Sequence, residues 1–130
     1  VNNPQVFDDY QEFIEQNPNE YTEVIYDQTV GEGAKIPEGT EENIARGYKK
    51  LTQWKIDVVG FNKDKVDIIE VKPNAGLSAL GQVLGYVRLF KETFPEIQNV
   101  FPVLLTDRLR PDMEKIAGTM GIRIINTPPF

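Results

Sequence analysis

The chain has 130 residues and contains neither cysteine nor histidine. These absences exclude disulfide bonds, thiolate zinc sites, cysteine nucleophiles and serine–histidine–aspartate triads. Any hydrolytic chemistry must therefore use carboxylates, lysine or tyrosine, with or without a hard cation. The length suits one domain over residues 1–130, because single cores usually span roughly 100–200 residues. No apolar run approaches the roughly 20 residues that cross a bilayer, so we expect a cytoplasmic protein without a membrane partner.

The charge is distributed unevenly along the chain. The formal net charge is −6, but residues 1–42 carry eleven acidic residues and one basic residue. Residues 43–130 carry thirteen basic and nine acidic residues. The acidic first third is either an ordinary solvated surface or a guard against nonspecific binding by the basic part.

Periodicity, turn residues and prolines predict alternating helices and strands. In chain order these are a helix over 7–16, a strand over 21–30, a loop over 31–39, a helix over 40–51, strands over 54–61 and 66–72 joined by a turn at 62–65, a helix over 77–94, a strand over 101–106, a helix over 111–120 and a strand over 122–125.

Several residues support the predicted helices. We expect Thr40 to cap the N-terminus of the second helix and Gly121 to end the fourth. Helical spacing places one apolar set on a single face of the predicted helix over 40–51. It places another on a single face of the predicted helix over 77–94. The first set is Ile44, Tyr48 and Leu51, and the second is Leu77, Leu80, Leu84 and Val87.

The order of these elements predicts an α/β fold. A tight hairpin followed by a strand–helix–strand unit implies a mixed sheet of about five strands flanked by helices. The connection from the strand at 66–72 through the helix at 77–94 to the strand at 101–106 should be parallel and right-handed.

The hairpin places two carboxylates opposite each other. A symmetric turn pairs Phe61 with Val66, and the same register further along pairs Asp57 with Glu70. Lys72 lies on the same face as Glu70, because side chains alternate along a strand. Like charges directly opposite are destabilising unless something neutralises them. A divalent cation does so, and carboxylate oxygens are ligands that magnesium and manganese prefer.

Phosphodiester hydrolysis needs a metal, a positioned water and charge stabilisation, and Lys72 could reach the attacking water or the phosphate oxygens. An ordinary surface hairpin is the alternative, since an acid–x–lysine triplet is common by chance. A slipped register would pair Asp57 with Lys72 as a simple ion pair.

The helix that follows the hairpin adds two polar side chains. Gln82 and Tyr86 are four residues apart and share a face near the end of the second hairpin strand. Either side chain would reach a metal-bound water or a phosphate, and Tyr86 could instead stack on a base. Packing of a half-buried ring is an equally good interpretation of Tyr86.

Three motifs in sequence resemble the PD-(D/E)xK nuclease superfamily, and the last resembles its RecB-like branch. They are Ile56-Asp57-Val58-Val59-Gly60, Ile68-Ile69-Glu70-Val71-Lys72 and Gln82-Val83-Leu84-Gly85-Tyr86. The resemblance implies a restriction-endonuclease-like core, αβββαβ with a C-terminal αβ. Ile56 stands where the family name has proline, and no histidine lies upstream.

The resemblance also implies the roles of the site residues. Asp57, Glu70 and the Val71 carbonyl would bind Mg²⁺ or Mn²⁺, Lys72 would activate water, and Gln82 would support the site. Glutamates of the first helix join such sites in related families, which makes Glu12 and Glu15 equal candidates.

The expected function is a magnesium-dependent deoxyribonuclease that cuts single- or double-stranded DNA. Basic residues would contact phosphates, and the candidates are Lys49, Lys50, Lys55 and Arg88, with Arg46, Lys63 and Lys65 beside them. One alternative is a catalytically silent nuclease-fold module that binds nucleic acid or joins a phage or multiprotein assembly. A weaker alternative is a carboxylate-based hydrolase of another substrate. We suspect a prokaryotic or phage-encoded protein, and a homodimer or larger assembly is possible.

Overall fold

A mixed five-stranded sheet with the strand order β1-β2-β3-β4-β5 forms the centre of the molecule. The structure is a computed structural model that describes residues 4–127, with side chains described from residue 10 onward. Its elements are α1 (Pro4–Gln16), β1 (Glu23–Val30), α2 (Glu42–Thr52), β2 (Trp54–Asn62), β3 (Lys65–Val71), α3 (Leu77–Thr93), β4 (Val100–Thr106), α4 (Pro111–Thr119) and β5 (Arg123–Asn126). This element order and the mixed sheet confirm the predicted α/β class.

The strand pairings follow from the connections. β1–β2 and β2–β3 are antiparallel, whereas β3–β4 and β4–β5 are parallel and are each joined through a helix. The β2–β3 register pairs Phe61 with Val66, as predicted, and Lys63 in the turn has a φ of 58°. A tight turn of this kind fixes the register of the two strands that it joins.

Both faces of the sheet are covered by apolar side chains. Val59 and Ile68 pack on one face with Val83 and Phe90 of α3. Val58, Ile69 and Val71 pack on the other face with the side chains of Tyr10 and Phe13 in α1. The alternation of neighbouring residues between the two clusters is the period-two pattern of a strand that is buried on both sides.

Three details differ from the sequence prediction. The N-cap of α2 is Glu41, whose carboxylate accepts hydrogen bonds from the N–H groups of Asn43 and Ile44, while the Thr40 hydroxyl donates to the Pro37 carbonyl. Leu77 was predicted to share the apolar face of α3, but its side chain is 62% exposed, because it is the first residue of the helix. The apolar face of α2 exists, but it covers no part of the core, since Ile44, Tyr48 and Leu51 are all exposed. Gly121, with a φ of 72°, follows the last turn of α4 as predicted.

Residues 4–127 include no helix with both the length and the apolar character needed to cross a bilayer.

Candidate active site

The two acids predicted to face each other do meet at the open end of the β2–β3 hairpin. The backbone ladder between these strands ends at Val58–Ile69, and Asp57 and Glu70 occupy the next position in the same register. Their side chains are hydrogen-bonded to each other. The Asp57 carboxylate also accepts the Val71 N–H at 3.1 Å, so it extends the contact between the strands beyond the end of the ladder.

Burial disfavours the charged forms of both acids, and the charge of Asp57 further disfavours that of Glu70. Glu70 is 4% exposed, and burial, followed by the charge of Asp57, raises its pKa to about 8. Burial also raises the pKa of Asp57, against the lowering effect of the Val71 N–H. Two carboxylates in one dry site cannot both ionise cheaply, so without a cation the pair retains a proton.

Lys72 supplies the positive charge of this group. It follows directly after β3, where its backbone N–H donates to the Leu105 carbonyl at 2.9 Å. Its side-chain charge lowers the pKa of Asp57 and of Glu70, and Lys72 itself is exposed. A cation at the edge of a buried acid pair stabilises negative charge there and remains accessible to a ligand.

The donor set fits a hard divalent cation. One oxygen of Glu70, Oε2, is buried and has no hydrogen-bond partner. Buried polar atoms are normally satisfied, so such an oxygen indicates a missing ligand or proton. Among the residues with described side chains, however, no three acids converge closely enough to hold a metal. The side chains therefore provide two carboxylates rather than a complete cage.

Asp27, which lies outside the three sequence motifs, is a third acid whose charge acts on the pair. Asp27 lies between two pairs of the β1–β2 ladder, Tyr26–Val58 and Gln28–Ile56, which places it opposite Asp57. Its charge contributes to the raised pKa of Asp57. Asp27 has a φ of 53°, in the left-handed region that aspartate tolerates better than most residues. A positive φ inside a strand is the local signal of a special position.

The structure does not bring the two α1 glutamates into this group. The charges that shift the pKa of Asp57 and Glu70 belong to these acids themselves, to Lys72 and to Asp27, not to Glu12 or Glu15. Glu12 accepts a hydrogen bond from Gln16 at 3.3 Å on Oε1, while its Oε2 is buried without a hydrogen-bond partner, and Glu15 is exposed. Its helix packs on the face of the sheet that carries Val58 and Ile69.

Gln82 and Tyr86 form a hydrogen-bonded pair on α3. The Gln82 side-chain amide donates to the Tyr86 hydroxyl at 3.0 Å. Tyr86 is 8% exposed, and its pKa is raised by burial, with smaller contributions from the charges of Glu70 and Asp57. The Tyr86 hydroxyl therefore lies near the acid pair. Its buried ring contradicts the suggestion that it stacks on a base and agrees with the packing interpretation.

The four basic residues predicted first as phosphate contacts, Lys49, Lys50, Lys55 and Arg88, lie in two places. Lys49, Lys50 and Lys55 are exposed on α2 and at the start of β2, at the acid-pair end of the hairpin. Arg88 of α3 is exposed and forms a 2.8 Å ion pair with Glu92.

The other basic residues do not gather at the acid pair. Lys63 and Lys65 lie at the opposite, turn end of the hairpin, where Lys65 is 3.7 Å from Asp67. Arg46 pairs with Glu42 at 3.8 Å on α2.

Comparison with solved structures identifies proteins with the same fold. A repair endonuclease from Pyrococcus abyssi superposes with a TM-score of 0.55 and 22% identity, over 95% of this chain and 47% of that one. EndoMS in a complex with double-stranded DNA superposes with a TM-score of 0.51 and 19% identity, over 95% and 46%. A protein of unknown function gives 0.57 and 16%, over 92% and 56%.

No family model and no curated protein matches the sequence. The chain spans about half the length of the solved structures that it resembles. At these identities the likeness concerns architecture, so the chain has the α/β fold found in these repair endonucleases.

Proposed function

We propose that this protein is a metal-dependent nuclease of the PD-(D/E)xK type, RecB-like branch, that hydrolyses phosphodiester bonds of DNA. The observation that carries the proposal is the buried, hydrogen-bonded pair of Asp57 and Glu70 beside Lys72. A buried pair of acids is costly for stability, and such costs are concentrated at functional sites. The shared fold with repair endonucleases, one of them bound to double-stranded DNA, supports DNA as the substrate.

The residues have distinct roles in this proposal. Asp57, Glu70 and the Val71 carbonyl would hold Mg²⁺ or Mn²⁺, which neutralises the acids and polarises the scissile phosphate when bound. Lys72 orients the attacking water or stabilises negative charge on the phosphate oxygens. Gln82 positions the Tyr86 hydroxyl through their 3.0 Å hydrogen bond beside the acids.

DNA cleavage assays test the proposal. Single- and double-stranded DNA would be incubated with the protein in Mg²⁺, Mn²⁺ or EDTA. We expect cleavage with a cation and none in EDTA. Asp57→Asn and Lys72→Ala should each reduce the rate at least about 100-fold, the usual loss when one stabilising group is removed from a polar active site.

Glu114→Gln and Lys115→Ala are matched controls, because both residues are exposed on α4. They should cleave at the wild-type rate, and circular dichroism should show that all four variants are folded. Cleavage that survives Asp57→Asn and Lys72→Ala would refute the site. Failure to cleave any DNA with either cation would favour the silent nuclease-fold module.

A further inference from the structure

An open groove of about 470 Å³ lies beside Gln82 and Tyr86. Ligand sites in proteins typically enclose about 300–1,000 Å³. The groove therefore has room for a planar ring and part of the chain to which that ring is attached. Its walls come from the start of β2 and from one face of α3. The lining residues include Trp54, Gly81, Gln82, Gly85, Tyr86 and Arg88.

Trp54 forms one wall and is largely exposed. Its side chain belongs to the first residue of β2, is 60% exposed, and borders a second groove of about 530 Å³ that includes Lys49. A large indole ring left in water forgoes the burial that stabilises most tryptophans. Its position between two grooves offers a flat apolar surface to a ligand.

The opposite wall is flattened by two glycines. Gly81 and Gly85 are one helical turn apart on α3, and a Cβ added to either would meet nothing within 4 Å. The space is therefore open to the groove rather than filled by neighbouring atoms. Glycine inside a helix costs stability relative to alanine, and here it keeps this wall free of side chains.

The groove shares Gln82 and Tyr86 with the surroundings of the acid pair, and Arg88 gives it one basic edge. Gln82 and Tyr86 line it, and the Tyr86 hydroxyl lies near Glu70 and Asp57. Arg88 lines this groove, and Lys49 lines the second groove together with Trp54 and the acidic residues Glu32 and Glu92. The ion pair of Arg88 with Glu92 is exposed, and such pairs are weak enough to exchange for a phosphate.

We propose that this groove binds an unpaired nucleobase of the DNA strand, stacked on Trp54, next to the phosphodiester that is cut. The choice of DNA as ligand rests on the proposed function. A base in an intact duplex is already stacked between its neighbours, so the groove selects single strands, frayed ends or unpaired positions. Arg88 and Lys49 would contact the flanking phosphates.

The fluorescence of Trp54 reports this contact directly, because Trp54 is the single tryptophan of the 130 residues. An Asp57→Asn protein would be titrated with a single-stranded thymidine 12-mer and with a matched duplex, which avoids cleavage during the measurement. We expect saturable quenching by the single strand and little by the duplex. Unchanged fluorescence while the single strand binds by anisotropy would overturn the proposal.

Variants of both walls provide a second measurement, with Kd obtained from the anisotropy of a labelled single strand. Trp54→Ala should weaken binding about 5- to 150-fold, the range expected for one lost base–aromatic stack, and Trp54→Phe should restore most of it. Gly85→Leu should fill the groove and weaken binding similarly, while leucine favours the helix more than glycine does. Phe101→Ala, which removes an exposed ring at the opposite end of the sheet, is the matched control.

The outcomes separate this proposal from the nuclease activity. Cleavage by the wild-type protein, together with unchanged Kd in Trp54→Ala and Gly85→Leu, would refute the groove and leave the nuclease standing. Trp54-dependent binding without cleavage by the wild type would refute the nuclease and keep the groove. Sedimentation that shows a dimer lost in Trp54→Ala, with DNA binding unchanged, would assign the groove to a second copy of the chain and overturn the proposal.

Discussion

Glu70 keeps one carboxylate oxygen buried without a hydrogen-bond partner, and its closest charged neighbour in the site is another acid, Asp57. Asp57 shares a hydrogen bond with it and accepts the Val71 N–H, while Lys72 offsets part of the repulsion. A folded protein tolerates such a pair either by retaining a proton or by binding a cation. The protonation state of Glu70 should therefore affect both stability and metal binding.

Stability without metal should fall as pH rises. The pKa of Glu70 is raised from 4.5 to about 8, so between these pH values the folded protein holds a proton that the unfolded chain releases. Unfolding becomes more favourable through this window, by a few kcal/mol at most. Thermal denaturation in EDTA should show a Tm roughly 10 °C lower at pH 8.5 than at pH 5.

Glu70→Gln is the control for this effect, because glutamine has a similar shape and no charge. Its Tm should change much less between the same pH values, and added Mg²⁺ should stabilise the wild type at pH 8.5 but not the variant. An equal decline of Tm in both proteins would mean that another group causes the pH dependence.

Among the elements, α2 has the weakest attachment to the rest of the fold. None of its residues is buried, although its apolar side chains share one face. Its C-terminal end is held by polar contacts: the Thr52 hydroxyl accepts the Ala34 N–H at 2.8 Å, and Gln53 donates to the Gly31 carbonyl at 2.7 Å. Helices without packing contacts depend on their intrinsic propensity, so α2 should open locally more often than α3.

Gly47→Ala should therefore slow amide hydrogen exchange in α2. An added Cβ at Gly47 meets nothing within 4 Å, and alanine favours a helix interior by about 1 kcal/mol over glycine. Exchange across α2 should slow roughly fivefold, measured by mass spectrometry of its peptides. Gly118→Ala in α4 should leave α2 exchange unchanged. If Gly47→Ala has no effect on α2, then the helix opens only together with the rest of the molecule.

At the scale of the whole molecule, a polar cluster joins the two edges of the sheet to its centre. Asp67 of β3 is 1% exposed and accepts the Tyr21 hydroxyl at 2.7 Å. Arg123 of β5 lies 3.9 Å from Asp67 and 2.6 Å from Glu20. Tyr21 also packs over Gly60, where a Cβ would come within 2.6 Å of the ring. The segment before β1 and the last strand are therefore both tied to β3.

Tyr21→Phe should lower the free energy of unfolding by about 1–3 kcal/mol, because it leaves a buried carboxylate without its hydroxyl partner. Urea denaturation would measure the loss. Tyr48→Phe, at a partly exposed ring on α2, should change stability little. In an Asp67→Asn background the cost of Tyr21→Phe should shrink, and an equal cost in both backgrounds would show that the two side chains are not coupled.

The sequence by itself determined the element order and the hairpin. The turn between Phe61 and Val66 is short, and alternation of buried side chains allows one register, so the opposition of Asp57 and Glu70 followed from local rules. The position of Lys72 two residues after Glu70 is also local, although β3 ends at Val71 and not at Lys72 as predicted. Local geometry of this kind involves few residues. A shift of the β2–β3 register by one residue would turn the buried side chains toward solvent, so no distant contact can impose it.

Only the tertiary structure decided which distant residues join the site. Residues 31–53 connect β1 to β2 and include α2. No local rule therefore sets Asp27 opposite Asp57. The groove beside Trp54 likewise depends on how far α3 lies from the start of β2, which packing of the whole core fixes. Long connections leave register and separation open in the sequence, and the burial of both sheet faces then selects one arrangement.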